Sequence, residues 1–333
     1  MKTKILMVFF LLSRVISVLA QNAEKQNDPI KIVFNDSSAR YVLEHLDKAL
    51  EVERDSIWKN FEGYRITLVW HEKSSVPITW KVWSRGLKKF LQDTSLAHKS
   101  LILLENLKLK VNKEQKSIEK HILKYLDKKT EFTALIYFVA FTYPYAFCID
   151  NNKIGIDITG DEWNFDTDCI LNTTIHEIYH IGFKLNSPDY YKYIAVDPTT
   201  KESFIRTNYA ILQSEGMATY VAFKALNIYP SEYQHQDYKL LNNDNEVITA
   251  ISKINKLSEM AMIMPVDTVL KECWKLGVEE RAYYVAGSYM AKLIEDKYGS
   301  KLLAELVNKG SIPYVEVYNN LVPEIYKIKL IKL

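Results

Sequence analysis

Two histidines four residues apart, His176 and His180, constrain this chain of 333 residues more than any other feature of its sequence. Residues at this spacing on a helix project from one face about one turn apart, so both imidazoles can bind a single metal ion. Glu177 lies between them, where its carboxylate can reach a water molecule on that metal. The H-E-x-x-H spacing therefore predicts that His176 and His180 bind zinc and that Glu177 acts as a general base.

This metal site requires the segment around the histidines to be helical. Leu171, Ile175 and Ile178 recur at helical spacing and form an apolar stripe that can face a core. We expect Asp168 to cap the start of the helix and Gly182 to lie near its end. The alternative is a buried helix whose two histidines only satisfy local hydrogen bonds.

A third metal ligand is expected after this helix, because a catalytic tetrahedral zinc has three protein ligands and one water. The next strong helical segment contains Q-S-E-G-M-A-T-Y at residues 213–220. With the upstream motif, this segment resembles the gluzincin zinc peptidases, and locally their aminopeptidase branch, in which the glutamate of an E-G-x-A-[ST]-Y segment completes the metal site. The resemblance implies that Glu215 is the third zinc ligand.

The residues that follow Glu215 suit this role. Gly216 and Ala218 are small, so two helices can approach until a short carboxylate spans the gap between them. Thr219, one turn beyond Glu215, is a candidate for a hydrogen bond to a metal ligand. The alternative is an exposed helix glutamate beside close-packing small residues.

A tyrosine further along the chain extends the same resemblance. Residues 284–287 read Y-V-A-G, similar to the Y-x-x-G helix start found downstream in gluzincins. The resemblance implies that the Tyr284 hydroxyl donates to the oxyanion of the tetrahedral intermediate, which needs a donor fixed about 3 Å from the developing charge. Tyr283 is the rival if the register differs by one residue. A core or rim tyrosine is the alternative, since the chain has 22 tyrosines.

The sequence also departs from the gluzincin pattern. The 34 residues between His180 and Glu215 exceed the interval in the thermolysin-like and aminopeptidase families. The G-x-M-E-N strand that binds the substrate amino terminus in the aminopeptidases is absent, so exopeptidase specificity is unsupported. Over its length the chain looks most like a bacterial group described as zinc-dependent peptidases, with the sharp similarity confined to residues 170–300.

A predicted β-hairpin precedes the histidine helix. Ala134–Ala146 is rich in aromatic and β-branched residues, residues 151–152 form a turn, and Lys153–Ile158 alternates as the second strand. Zinc peptidases usually dock an extended substrate backbone along a strand that precedes this helix, so Gly155 and Ile156 are candidate substrate-binding residues. An ordinary structural hairpin is an equally good explanation.

The overall pattern predicts a predominantly helical α+β fold, with a zincin-like catalytic core, a small strand-bearing lobe and a helical C-terminal lobe. We expect a mostly helical region at 21–130, the catalytic core at 131–230 and the helical lobe at 231–333. Tyr64–His71 is predicted to be a strand because it is β-branched and aromatic. Helices are predicted at Ser37–Leu50, Trp80–Leu91, Leu96–Leu109, Glu114–Leu126, Ser203–Leu226, Ser231–Ala261 and Glu279–Tyr298.

The N-terminus predicts export. Lys2 and Lys4 precede the apolar run Ile5–Leu12, and the residues up to Ala20 resemble a cleavage site, so residues 1–20 are predicted to be a cleaved signal peptide. Its loss takes the formal charge from +2 to −1, which gives no electrostatic case for nucleic acid or an anionic membrane. We expect a secreted or periplasmic protein with no integral membrane segment after signal removal.

The three cysteines leave one question open. Export permits disulfides, and a bond between Cys148 and Cys169 would tether the strand region to the start of the histidine helix. Buried free thiols are the alternative.

These residues together predict a secreted zinc metallopeptidase of gluzincin type, with zinc as its cofactor and a peptide or protein as its substrate. One alternative is a zinc-binding interaction protein that has kept the fold and lost turnover. Two others are a zinc hydrolase of non-peptide amides or esters and a metal-free helical adhesin or scaffold. Zinc content and cleavage of a peptide library distinguish these hypotheses.

Overall fold

The computed structural model describes residues 28–49, 54–74, 78, 80–231 and 236–332. The predicted signal peptide at 1–20 lies outside these residues. Helices predominate in the described part of the chain and accompany one small mixed sheet, which confirms the predominantly helical α+β prediction. No helix within these ranges combines the length and the hydropathy needed to cross a membrane.

The sheet has four strands: β1 (Ile30–Asn35), β2 (Phe132–Val139), β3 (Ala146–Ile149) and β4 (Lys153–Asp157). Their order is β1-β2-β4-β3. The first three in this order run parallel, whereas β3 is antiparallel to β4. A hairpin that ends in β4 is therefore present, but its first strand is β3 and not the predicted Ala134–Ala146, the first part of which forms β2 and runs parallel to β4. Strand β3 occupies one edge of the sheet.

The predicted strand Ala134–Ala146 is interrupted in the structure. Its first part is β2, its last residue begins β3, and a loop separates the two. Phe141 in that loop has a φ of 57°, in the left-handed region that leaves the extended conformation. Pro144 has no N–H to donate to a neighbouring strand. These two residues end one strand before the other begins.

Most of the remaining described residues are helical. The helices before the histidine segment are α1 (Ser37–Glu44), α2 (Arg54–Asn60), α3 (Glu62–Ser74), α4 (Trp80–Gln92) and α5 (Ser95–Leu123). The histidines lie on α6 (Thr167–Asn186). The helices that follow are α7 (Lys201–Ala225), α8 (Gln236–Leu241), α9 (Asp244–Ile263), α10 (Val266–Trp274), α11 (Ala282–Tyr298), α12 (Ser300–Lys309) and α13 (Ser311–Asn319). Short π-helical turns lie at Tyr190–Ile194 and Lys275–Glu279, and 3₁₀ turns at Asp161–Trp163 and Glu324–Tyr326.

The predicted strand at Tyr64–His71 is wrong, because this segment lies within α3. Tyr64, Thr67 and His71 are buried at positions i, i+3 and i+7, which is the spacing of one helical face. The β-branched and aromatic composition of the segment suggested a strand, but its buried residues follow the helical period. Packing of that face against the sheet therefore overrides the local propensity.

The two helices predicted at Leu96–Leu109 and Glu114–Leu126 form one continuous helix, α5. The residues between them contain neither Gly nor Pro, so nothing there ends the helix. Val111 is fully buried and continues the apolar stripe from one predicted helix to the next. Its neighbours on that stripe, Leu107 and Ile118, are also fully buried.

The centre of the molecule is a stack of three helices in which α7 packs against both α6 and α11. Gly216 of α7 and Gly287 of α11 meet at the second of these contacts. A Cβ added to Gly287 would lie 2.3 Å from the carbonyl oxygen of Leu212 and 2.6 Å from the Gly216 Cα. Backbone thus lies against backbone, and neither position has room for a methyl group.

Gly287→Ala should lower the free energy of unfolding by about 2 kcal/mol or more, because the added methyl overpacks a contact between two backbones. Gly277→Ala is the matched control, since its Cβ would lie 3.4 Å from the Tyr283 ring, an ordinary contact distance. We expect that change to stay within about 1 kcal/mol of wild type. Chemical denaturation of both variants gives the two values, and equal losses would contradict the close contact.

Candidate metal centre

The start and the end of α6 both differ from the sequence prediction. The N-cap is Asp166 and not Asp168, because the Asp166 carboxylate accepts hydrogen bonds from the backbone N–H groups of Asp168 (2.7 Å) and Cys169 (3.3 Å). The helix also continues past Gly182 to Asn186. Gly182 leaves room for the Leu126 side chain, since a Cβ at this position would lie 2.2 Å from a methyl carbon of Leu126.

The inner face of α6 is the predicted apolar stripe. Leu171, Ile175 and Ile178 are fully buried, which fixes the rotation of the helix about its axis. With this face turned to the core, the two histidines project on another side towards α7. A hydrogen bond from the Asn172 amide to the backbone carbonyl of Ala222 ties α6 to α7. The rotation and the tie together aim both imidazoles at the middle of α7.

Three side chains converge between these helices: His176, His180 and Glu215. The His176 and His180 Nε2 atoms lie 3.1 Å apart, and the Glu215 Oε2 atom lies 3.6 Å from the first and 3.4 Å from the second. A tetrahedral zinc ion with ligand atoms about 2.0 to 2.1 Å away places those atoms roughly 3.3 Å from one another. The three donors therefore match a zinc site in type and in spacing. Within the described residues, no other group of three or more His, Cys, Asp or Glu side chains could hold a metal ion.

The electrostatics of the cluster couple Glu215 to the two imidazoles. Burial acts to raise the pKa of Glu215, but the neighbouring His180 and His176 outweigh it and hold this pKa well below its ordinary value. Burial acts to lower the pKa of His180, but the Glu215 carboxylate outweighs it and raises this pKa above 6.5. The carboxylate is thus ionised, and in the absence of a metal it favours a proton on His180.

Ser214 is a further partner of the cluster that the sequence did not indicate. Its Oγ lies 3.3 Å from Nδ1 of His180. A neutral His180 that binds a metal through Nε2 carries its proton on Nδ1, and that N–H donates to the Ser214 hydroxyl. Thr219, the residue expected in this role, is buried, and its hydroxyl has no hydrogen-bond partner among the described residues. Ser214 has the role because it directly precedes Glu215 and faces α6.

The two candidate tyrosines of α11 occupy different environments. The Tyr284 ring lies beside the His176 imidazole, with ring centroids 6.0 Å apart and planes inclined by 15°. The Tyr283 ring is buried in the core, where its hydroxyl donates to the Asn208 carboxamide and lies 3.1 Å from the Cys273 sulfur. Only Tyr284 is therefore in a position to act at the metal cluster.

The Gly216–Gly287 contact explains this placement. Glu215 directly precedes Gly216 on α7, and Tyr284 lies three residues before Gly287, on the same face of α11. The sequence predicted that the small residues allow two helices to approach, and the structure shows that Gly216 meets α11. This contact brings the third ligand and the tyrosine together.

The predicted substrate-binding pair, Gly155 and Ile156, does not lie at a sheet edge. Both residues belong to β4, which pairs with β2 on one side and with β3 on the other. Their main-chain groups are engaged within the sheet, so they cannot pair with a substrate, and this part of the prediction is wrong. Gly155 instead makes room for a neighbour, since a Cβ there would lie 2.3 Å from the Phe147 ring. No described strand pairs with the outer edge of β3.

A buried lysine fixes β3 against α6. Lys184, one turn after His180, donates from Nζ to the Asp150 carbonyl oxygen (2.9 Å) and to the Cys148 sulfur (3.1 Å). Burial raises the pKa of the Cys148 thiol to about 11, so the thiol is neutral at ordinary pH. Cys148 and Cys169 are both free, with no disulfide between them.

The chain matches a known protein family over most of its length. The matching family is described as "Putative zinc dependent peptidase (DUF5700)", and the match covers residues 96–324. These residues include the whole metal cluster, Glu177 and Tyr284. No curated protein and no solved structure matches the chain.

Ser214→Ala should weaken zinc binding by about 10- to 100-fold, because His180 loses the acceptor that fixes its ring and tautomer. Thr219→Val is the matched control in the same helix. It removes a hydroxyl that makes no hydrogen bond within the described part of the chain and conserves the side-chain shape, so its zinc affinity should equal that of wild type. Competition with a chelator of known affinity measures both dissociation constants. Equal affinities for all three proteins would contradict the role of Ser214.

Zinc binding near pH 6.5 should release protons from His180, because the Glu215 carboxylate holds the pKa of this histidine above its ordinary value against the effect of burial, and binding requires its neutral form. Above the raised pKa the histidine is already neutral, so its contribution disappears in alkaline buffer. Isothermal titration calorimetry in two buffers with different ionisation enthalpies gives the number of protons. Zinc binding with no proton release at pH 6.5 would contradict this coupling.

Proposed function

The chain belongs to the family described as zinc dependent peptidases, and on this premise we propose that it is a gluzincin-type zinc metallopeptidase that hydrolyses peptide bonds. One observation carries the proposal. Two imidazole nitrogens and one carboxylate oxygen lie 3.1 to 3.6 Å from one another, on two helices that the core holds in fixed orientation. Three protein ligands leave one coordination position for water, which is the arrangement of catalytic rather than structural zinc.

In this proposal His176, His180 and Glu215 hold the zinc. When bound there, zinc would lower the pKa of a water molecule to about 7 and would polarise the scissile carbonyl group. Both histidines bind as neutral imidazoles, and Ser214 keeps His180 in the tautomer that leaves Nε2 for the metal. Activity should therefore decline in acid, where protons compete for these nitrogens.

Glu177 is the proposed general base. It directly follows His176 on α6, and the residue is buried, with 7% of its surface exposed. In the reaction Glu177 accepts the proton of the attacking water and later delivers it to the leaving amine. Tyr284 lies beside His176, and its hydroxyl donates a hydrogen bond to the carbonyl oxygen as negative charge develops there.

The outer edge of β3 is the proposed docking site for the substrate backbone. This strand packs against α6, and its Cys148 side chain points towards Lys184 on that helix. An extended peptide can add to such an edge through main-chain hydrogen bonds. We further propose export of the protein, on the basis of the N-terminal sequence alone, and a peptide or protein as the substrate.

Glu177→Gln should bind zinc as wild type does and should lower the rate of peptide hydrolysis by at least about 100-fold, because the amide cannot accept the proton of water. Glu215→Gln is the comparison variant, in which weakened zinc binding should accompany the loss of activity. Metal analysis together with cleavage of an internally quenched peptide library measures both properties.

The outcomes separate the competing functions. Full peptidase activity of Glu177→Gln would contradict the mechanism. Stoichiometric zinc without cleavage of any peptide by wild type would favour a non-catalytic zinc-binding protein. Cleavage of amide or ester substrates that are not peptides would favour a different zinc hydrolase.

A further inference from the structure

An arginine lies directly against the proposed oxyanion donor. Arg281 precedes α11, three residues before Tyr284, and its guanidinium carbon lies 3.4 Å from the centroid of the Tyr284 ring. The same guanidinium bonds through two nitrogens to the Asp237 carboxylate, with Nε–Oδ1 at 3.1 Å and Nη2–Oδ2 at 2.7 Å. A two-point bond of this kind fixes the plane of the guanidinium as well as its position.

The acidic partner of this ion pair is buried, and the basic partner is partly exposed. Asp237 is 2% exposed, whereas the Arg281 side chain is 31% exposed. An ionised carboxylate at such a depth requires a cationic partner, and Arg281 provides it. The buried Asp237 carboxylate thus fixes the guanidinium of Arg281, and one face of the guanidinium contacts the Tyr284 ring.

The backbone of Arg281 is strained. It has φ 55° and ψ 22°, in the left-handed region at the N-cap of α11. Asn or Gly adopts this conformation at lower energy, and both are better N-cap residues than Arg. The Arg281 side chain, bonded to Asp237 and stacked on the Tyr284 ring, makes contacts at this position that neither Asn nor Gly could make.

Tyr284 depends on such ring contacts for its orientation. Its hydroxyl makes no hydrogen bond with any described residue, in contrast with Tyr283, whose hydroxyl is held by Asn208 and Cys273. A hydroxyl that awaits a substrate oxygen cannot also be anchored by the protein. The ring is consequently fixed through its faces and edges, by Arg281, by His176 and by the hydrophobic core against which it packs.

We propose that Arg281, held by Asp237, is a positioning residue that keeps the Tyr284 ring beside His176, with its hydroxyl directed at the carbonyl oxygen of the substrate. This inference rests on the proposed peptidase function. The planar guanidinium, and not its charge alone, supplies the flat surface on which the ring rests. Arg281 itself contacts neither the metal ligands nor the scissile bond in this proposal.

A double-mutant cycle in the zinc-loaded enzyme tests the proposal. Arg281→Lys keeps a cation beside Asp237 and removes the planar surface, so kcat should fall by about tenfold with KM within about twofold. Tyr284→Phe should lower kcat by about 100-fold. Because Arg281 acts through the tyrosine hydroxyl, Arg281→Lys should cause no further loss in the Tyr284→Phe background.

Two controls define the effect. Arg40→Lys makes the same chemical change in an arginine of α1 that is paired with Asp36, and it should leave kcat unchanged. Tyr283→Phe removes the neighbouring hydroxyl and should retain activity. The zinc affinity and the unfolding temperature of Arg281→Lys should remain close to wild type. Losses that add in the double variant, or a fall in zinc affinity as large as the fall in kcat, would show a merely structural role and overturn the proposal.

A second readout is independent of turnover. In crystal structures of wild type and Arg281→Lys, the Tyr284 ring should leave its position beside His176 only in the variant. An unchanged ring would overturn the proposal. A wild-type enzyme that binds zinc but cleaves no peptide would overturn the proposed function instead, and the ring position would still decide the role of Arg281.

Discussion

The candidate metal centre depends on the contact between the backbones of α7 and α11 at Gly216 and Gly287. At this point neither helix has a side chain, so the axes approach more closely than any larger residue permits. Glu215 adjoins one glycine and Tyr284 lies one turn from the other. A single steric condition thus sets the distance between Glu215 and Tyr284, although the two residues are far apart in the chain.

The cluster itself is an unfavourable arrangement that a cation makes favourable. A carboxylate and two imidazoles at 3.1 to 3.6 Å, in a largely buried site, carry an energetic cost of desolvation. Without metal, the pKa of His180 is raised and the pKa of Glu215 is lowered, so a proton on His180 offsets part of the charge of the carboxylate. A divalent cation bound at this cluster would replace that proton and offset the charge of the carboxylate. Metal binding at the cluster should therefore depend on pH.

The residues of the site differ in how far the sequence alone could predict them. The histidine pair could be predicted from spacing alone, because two residues four apart on a helix lie on the same face, about one turn from each other. Glu215 and Tyr284 needed the resemblance to gluzincins, since no rule of local spacing relates them to the histidines. The choice of Tyr284 over Tyr283 needed the structure. Tyr283 and Tyr284 are adjacent on a helix, so their side chains point in different directions. Only the packing of the helix shows which of the two points into the core.

Other parts of the fold were decided by contacts between distant segments. The predicted strand at Tyr64–His71 is helical because burial on one face outweighs β-branched composition, and Gly155 is interior because β2 pairs with β4 from elsewhere in the chain. Ser214 and Arg281 also escaped detection, since a serine beside a ligand and an arginine one turn before a tyrosine have no signature of their own. The sequence by itself determined the fold class, the helical histidine pair and the chemistry of its ligands, because these follow from local period and side-chain type. Only the tertiary structure decided which strand forms the sheet edge, which tyrosine meets the cluster and what holds it there, because those depend on how separate helices and strands pack.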